Sequence, residues 1–316
     1  MELYYSHLKD SNTIMRAQDI KSEYLVQTTS CGCCGNRRFK RLIPLFKKPS
    51  INYIQCTKCG AVTFDKTYCQ QGIDEMYQQD SLYEDYEKHG TSKITFYGAE
   101  RIAKHMLNNM KIRPKRRLDI LDFGGGDGGI GYTLAKMLLD NRLCKEARIV
   151  VVDYNESLCE VDDERIRISR CFPLDKVADN SFDIVIASAV IEHLPKPGIY
   201  MKKLFDTMVK GGYIYFRVPY IFPIFKTLKK FSIDYFTGFP GHIWDFSEKW
   251  WKTAAEKIGY PDGKVQLIRS CPSIVEKSLK IEFINALAAY VMKSFWYVCK
   301  KWQYVGGWET IYRKIG

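Results

Sequence analysis

The chain has 316 residues, 46% of them apolar, and its 48 Lys and Arg against 36 Asp and Glu leave a net charge of +12. That length suits one large domain and a small one, and the composition excludes a disordered or collagen-like chain. No run of about 18 apolar residues is free of charge, so no spanning helix is expected, and Met1 to Asp10 lacks the basic-then-apolar pattern of a secretory leader.

In chain order, residues 1–27 read as an N-terminal arm. Eleven cysteines follow in an uneven distribution. Cys31-x-x-Cys34-Gly35 and Cys56-x-x-Cys59-Gly60 are two matched knuckles separated by 21 residues. That spacing suits four thiolates around a zinc ion, and a four-cysteine site is closed and therefore structural. Cys33 is an alternative ligand within the first knuckle. The ribbon of short strands is expected over 28–68, so that residues 1–68 form arm and ribbon together. The other cysteines are scattered and read as small buried apolar residues, which fits a reducing compartment.

A helical lead-in is expected over 69–117, with Tyr77 and Tyr83 either closing over a cofactor or simply packing. Leu118 to Phe123 then reads as a buried strand, running into Gly124-Gly125-Gly126-Asp127-Gly128 and a helical pattern from Ile130 to Leu139. Strand, glycine-rich turn and helix make a nucleotide-type cofactor loop, where backbone passes close to a ligand and a helix N-terminus offers free N–H groups. Gly124-x-Gly126-x-x-Gly129 alone also fits a dinucleotide loop. Asp122 either receives a ligand ammonium group or serves as a turn or cap acid. A second strand, Ala147 to Val152, ends in Asp153, either an acid placed for ribose hydroxyls or an ordinary strand-end acid. A strand over Phe182 to Ala187 leads into Glu192-His193-Leu194-Pro195. The expected fold is α/β: a doubly wound, Rossmann-like sheet over 118–270 with a cap insertion at 219–244, the small zinc ribbon before it, and a helical C-terminal extension over 271–316.

The pieces LDFGGGDG, VVDYNES, DNSFDIVIASAVIEHL and VKGGYIYFRVP resemble, in order and across roughly residues 94 to 270, the class I S-adenosylmethionine-dependent methyltransferases. The resemblance implies S-adenosylmethionine as cofactor, held by Asp122, Phe123, Gly124, Gly126, Gly128, Asp153, Tyr154 and Ala189. The acid that often contacts adenine in this family is missing from Ser169 to Leu174, which leaves the adenine contact open, with backbone near Cys171 and Phe172 as the candidate for it.

Methyl transfer needs alignment more than acid–base chemistry, but a hydroxyl acceptor benefits from a base. His193 and His242 lie in the loops expected over the carboxyl ends of the strands, with Glu192 beside the first. For His193 the alternative is shaping the cofactor pocket. The two knuckles, YQQDSLYEDY and HIWDFSEKWWKTAAEKIGY are similar to methyltransferases of bacterial surface-glycan and deoxysugar pathways. Deoxysugar C-methyltransferases carry a further C-terminal α/β domain not seen here, which implies O-methylation of a sugar in a nucleotide-linked or lipid-linked glycan.

Such an enzyme is expected in the cytoplasm, in part at the inner membrane face, with a homo-oligomer left open. Ile281, Ile284, Leu287, Ala288, Val291 and Phe295 share a helical face that packs on core, partner subunit or membrane. Basic clusters at 36–41, 111–117 and 226–230 either attract an anionic substrate or are plain solvated faces. The competing class is RNA methylation through a basic zinc module, although no Asn/Asp-Pro-Pro-Tyr/Phe motif is present; the third is a binding protein that keeps only the fold.

Overall fold

The computed structural model of the protein describes residues 19–79, 93–154, 156–233, 238–275 and 283–316. Strand β1 (Leu25–Gln27) enters the N-terminal module, and β2 (Phe39–Phe46), β3 (Ile51–Cys56) and β4 (Val62–Phe64) form its antiparallel sheet. Strand β5 (Lys66–Tyr68) turns back on β1. Ile51, Tyr53 and Phe64 bury one face of this ribbon against Phe225 and Phe239, aromatic residues from far along the chain. The ribbon is thus seated on the body of the protein and does not stand apart from it.

Helices α1 (Gln70–Gln79) and α2 (Lys93–Asn109) form the helical lead-in. Tyr83 lies outside the described residues, as does Asn155 of the VVDYNES motif, and only the backbone of Tyr77 is described. The sheet follows as β6 (Arg117–Phe123), α3 (Gly129–Asp140), β7 (Glu146–Val152), β8 (Ile166–Arg170), β9 (Phe182–Ser188), α4 (Pro197–Thr207) and β10 (Met208–Tyr220). Then come α5 (Phe222–Lys230), α6 (Glu248–Lys252), α7 (Ala254–Lys257), β11 (Val265–Pro272), α8 (Phe283–Val298) and β12 (Gly306–Lys314).

Strands β6 to β10 run parallel, and the seven-stranded order is β11-β12-β10-β9-β6-β7-β8. Every residue of β9 is buried, as a central parallel strand covered on both faces requires. Helix α3 places Ile130, Leu134 and Leu138 on one stripe against the sheet. The chain winds outward one way through β7 and β8 and the other way through β9 and β10. The reversal lies between β6 and β9, and a crevice opens at their carboxyl ends.

The C-terminal extension corrects the expectation of a helical tail. Among its described residues only α8 is helical; β12 then returns into the sheet, antiparallel to both β10 and β11. Residues 306–314 are therefore sheet interior, with Trp308, Glu309, Thr310, Ile311 and Tyr312 buried. Among the described residues, no helix is long and apolar enough to cross a membrane.

Candidate active site

The turn after β6 begins at Gly124, whose φ of +65° is a region that a side chain disfavours. A Cβ there would also meet the Val190 side chain at 2.4 Å, so the loop lies directly against the segment that follows β9. Gly126 N–H donates to Asp153 Oδ2 at 2.8 Å, which ties the loop to the tip of β7. Arg170 donates to the carbonyls of Asp153 and Tyr154 at 3.0 and 2.9 Å and fixes that tip from β8. Nothing in the residue pattern singled out Arg170; only pairing across the sheet brings it there.

Asp122 is 1% exposed and lies under the loop, its Oδ2 accepting the Gly131 N–H at 3.0 Å. Burial pushes its carboxyl up to about 7, aided by the nearby charges of Asp153 and Asp127. The carboxylate therefore caps the start of α3 while its remaining oxygen faces Gly125. Tyr154 and Phe172 form an exposed aromatic pair with ring centroids 4.8 Å apart, and Tyr154 is 72% exposed. Phe123 stacks on Tyr200 on the other side of the loop. Cys171 follows β8, its N–H donating to the Val151 carbonyl at 2.9 Å. Ala189 follows β9 with φ of +56° and donates its N–H to the Arg217 carbonyl.

The structure brings together the three residues proposed for acceptor chemistry. A short turn of 3-10 helix, Ile191–His193, follows β9. Against it lies the segment Gly241–Trp244. Ile243 and Trp244 donate their N–H groups to the Glu192 carbonyl at 2.9 and 3.2 Å, and Trp244 Nε1 donates to the Leu194 carbonyl at 2.8 Å. His193 Nδ1 lies 3.1 Å from the Gly241 carbonyl, across a sequence separation of 48. A carbonyl only accepts, so Nδ1 carries the hydrogen and Nε2 is the basic nitrogen.

The His193 and His242 rings meet edge to face at 4.7 Å, and His193 Nε2 is 3.8 Å from Glu192 Oε1. Burial lowers His193 to about 4 and His242 to about 3, so both are neutral imidazoles near pH 7. Burial raises Glu192 to about 8. The N-terminal module braces this turn: Thr63 Oγ1 donates to the Ile243 carbonyl at 2.7 Å, and Val62 pairs with Asp245. Asp245 in turn accepts the Ile221 and Phe222 N–H groups at the head of α5. The expected cap over the cofactor is thus wedged against the ribbon, through Phe225 and Phe239, while Met76 of α1 approaches Gly241.

The knuckles sit behind the same turn. Cys31, Cys34, Cys56 and Cys59 bring their four sulfurs within 4.8 Å of one another, with Cys31–Cys59 and Cys34–Cys56 each at 3.6 Å. Burial raises the Cys34 thiol to about 11, and Cys33 is buried beside the cluster. A Cβ on Gly32 would meet the Pro195 carbonyl at 2.2 Å, and one on Gly198 would meet the Cys33 carbonyl at 2.2 Å. The first knuckle is therefore packed backbone to backbone on the Leu194–Gly198 segment.

A family profile described as "Methyltransferase domain" matches residues 96–262, over half of the chain. The chain belongs to this methyltransferase family. It is an S-adenosylmethionine-dependent methyltransferase. A malonyl-[acyl-carrier protein] O-methyltransferase of Acetivibrio thermocellus is 29% identical over 122 residues, covering 37% of this chain and 41% of that protein. The match thus spans less than half of that relative's length. Among solved structures, the plantazolicin methyltransferase in complex with SAH aligns with a TM-score of 0.48 at 14% identity, over 78% of this chain and 99% of that one. Phosphoethanolamine N-methyltransferase 2 of Haemonchus contortus, in complex with S-adenosyl-L-methionine, aligns with a TM-score of 0.44 at 11% identity, over 87% and 71%.

Proposed function

We propose that this methyltransferase methylates a hydroxyl of a sugar in a nucleotide-linked or lipid-linked glycan. The observation that carries the reading is the meeting of Glu192, His193 and His242 beside the glycine loop. When bound, S-adenosylmethionine supplies an already activated methyl group. Asp153 accepts its ribose hydroxyls, Gly124, Gly126 and Gly128 let the backbone approach it, and Tyr154, Cys171 and Phe172 line the adenine side. Phe123 and Ala189 flank the loop, and the free oxygen of Asp122 faces the ammonium group. A neutral imidazole, His193 or His242, takes the proton of the acceptor hydroxyl; such a base contributes about 10²- to 10⁴-fold. The relative from Acetivibrio thermocellus is named as an O-methyltransferase, which agrees in acceptor atom.

The thiolate cluster supports a structural zinc ion. Zn–S bonds of about 2.3 Å in a tetrahedron set sulfurs about 3.8 Å apart, close to the 3.6 Å of the two shortest pairs. Cys31, Cys34, Cys56 and Cys59 hold it and so fix the Leu194–Gly198 segment.

A lipid-linked acceptor is favoured by α8. Its face of Ile284, Leu287, Val291, Phe295 and Val298 is exposed, while Ala286, Ala289 and Trp296 turn inward; Ile281 lies outside the described residues. Trp302, Lys300 and Lys301 border that face, as an interfacial helix requires. That face supports a reading in which the enzyme works in the cytoplasm at the inner membrane surface.

RNA is the second reading, favoured by exposed Arg37, Arg38, Lys40 and Arg41 on the ribbon. The test is methyl transfer from labelled donor to nucleotide-sugars, lipid-linked glycans and RNA, side by side. Label in a sugar carries the first reading; salt-sensitive label in RNA alone replaces it.

A further inference from the structure

Among the described residues, two clusters of metal-ligating residues lie outside the knuckles, and they differ in one respect. In the first, His105, Cys271 and Glu309 converge, but Glu309 is satisfied by the protein. Its Oε1 meets His105 Nε2 at 2.8 Å, and its Oε2 accepts Tyr215 OH at 2.9 Å and the Ile274 N–H at 3.2 Å. The second is Glu192, His193 and His242. Glu192 is 0% exposed, and neither of its carboxyl oxygens finds a hydrogen-bond partner in another described residue, its own N–H and the charge of Arg217 being the polar groups beside it. His242 Nδ1 is likewise buried and without such a partner.

A buried carboxyl group with no hydrogen bond to a neighbour is expensive unless something else fills the space before it. One ligand atom from each of the three residues lies within 4.8 Å of the others, and the Glu192–His193 pair is already at 3.8 Å. Bonds of about 2.1 Å in a tetrahedron set such atoms about 3.4 Å apart, so small side-chain adjustments close the set around one ion. The Gly241 carbonyl already holds the His193 ring from behind, the kind of partner that orients ligating imidazoles.

We propose that Glu192, His193 and His242 bind one divalent transition-metal ion, with open positions facing the acceptor. Two imidazole nitrogens and one carboxylate oxygen suit Mn²⁺, Co²⁺ or Zn²⁺ better than Mg²⁺, which prefers oxygen alone. The site deepens the hydroxyl-methylation reading and rests on it. An acceptor hydroxyl on the ion loses its proton to water. Its oxygen then forms the C–O bond as the S–CH₃ bond breaks, and the sulfonium becomes a neutral thioether.

The probe is Mn²⁺ alone, added to the full chain with its thiolate site intact and S-adenosylhomocysteine present. Free Mn²⁺ is counted by electron paramagnetic resonance. One ion per chain is expected, weakened at least tenfold in Glu192→Gln and in His242→Ala, and unchanged in His105→Ala. Calorimetric binding of S-adenosylhomocysteine reports that each variant is folded; where His242→Ala fails it, His242→Gln replaces it. No saturable Mn²⁺ binding, equal binding in the folded variants, or loss only in His105→Ala overturns the proposal. Sugar methylation by a protein that takes up no Mn²⁺ also overturns the ion and leaves an imidazole as base. Mn²⁺ bound at these residues with no sugar methylated upholds the ion and overturns the sugar reading.

Discussion

The proposed donor half and the proposed acceptor half of the crevice are built in opposite ways. The donor half runs from Asp122 to Phe172, three consecutive strand-and-turn units whose tips are tied by short bonds such as Gly126 to Asp153. The acceptor half joins Glu192 and His193 to a segment 48 residues later, and rests that segment on Thr63, 180 residues before Ile243. Local assembly makes the first half robust to changes elsewhere. Long-range assembly makes the second answerable to the ribbon.

The sharpest way to break this contrast is at the thiolates. Cys31→Ser or Cys59→Ser should release one zinc per chain by metal analysis and unfold the ribbon, since structural zinc supplies on the order of 10 kcal/mol of folding energy. The turn proposed for the acceptor should go with it, while S-adenosylhomocysteine affinity changes less than tenfold. Equal loss of both would mean that the halves are not separate. Next in size, His242→Ala and His193→Ala should separate base from pocket shaper. The base loses about 10²- to 10⁴-fold in turnover at saturating donor, with donor binding kept. Intact turnover in both removes the base assignment.

On the donor side, Asp153→Ala should weaken calorimetric binding of S-adenosylhomocysteine by roughly tenfold or more, as losing hydrogen bonds to a charged group does. Unchanged affinity would dismiss the ribose contact. Asp122 adds a pH test. Its folded value near 7 lies above its ordinary 3.8, so the folded state binds the extra proton and stability from this group falls as pH rises from about 4 to 7. Donor affinity should move the other way, strengthening as pH rises through about 7 and the carboxylate forms to face the ammonium. Asp122→Asn should flatten that profile, whereas a pH-independent wild type marks Asp122 as a cap acid only. Smallest of all, Ser247→Ala removes the side-chain cap that accepts the Trp250 N–H. It should cost ~1 kcal/mol in a denaturant melt and leave donor binding untouched.

The same contrast decides what could be read from residues alone. A glycine loop between an apolar strand and a helix, and an acid ending the next strand, are adjacent in sequence, so the geometry of the proposed donor half was legible. The matched knuckles were legible for the same reason. His193 and His242 were each recognisable from their loops, but their meeting was not, because it depends on the Trp244 and Ile243 bonds to Glu192 and Leu194. Arg170 gave no local signal. Strand β12 was missed because its pattern mixes Glu309, Thr310, Arg313 and Lys314 with apolar residues. Those polar groups find partners inside the fold, Glu309 on His105 and Tyr215, Lys314 on Asn180 and the Met208 carbonyl.

That strand also sets the timetable of folding on the ribosome. Strand β10 can pair with β9 as soon as both have emerged, but its other edge, and its connection to β11, wait for residues 306–314. At roughly 5–20 residues per second, that interval is on the order of ten seconds. During it the nascent chain presents an open edge carrying Tyr213, Tyr215 and Val218, the kind of edge to which other chains add strands. Yield in a cell should therefore depend on what shields this edge during synthesis, whatever the stability of the finished fold.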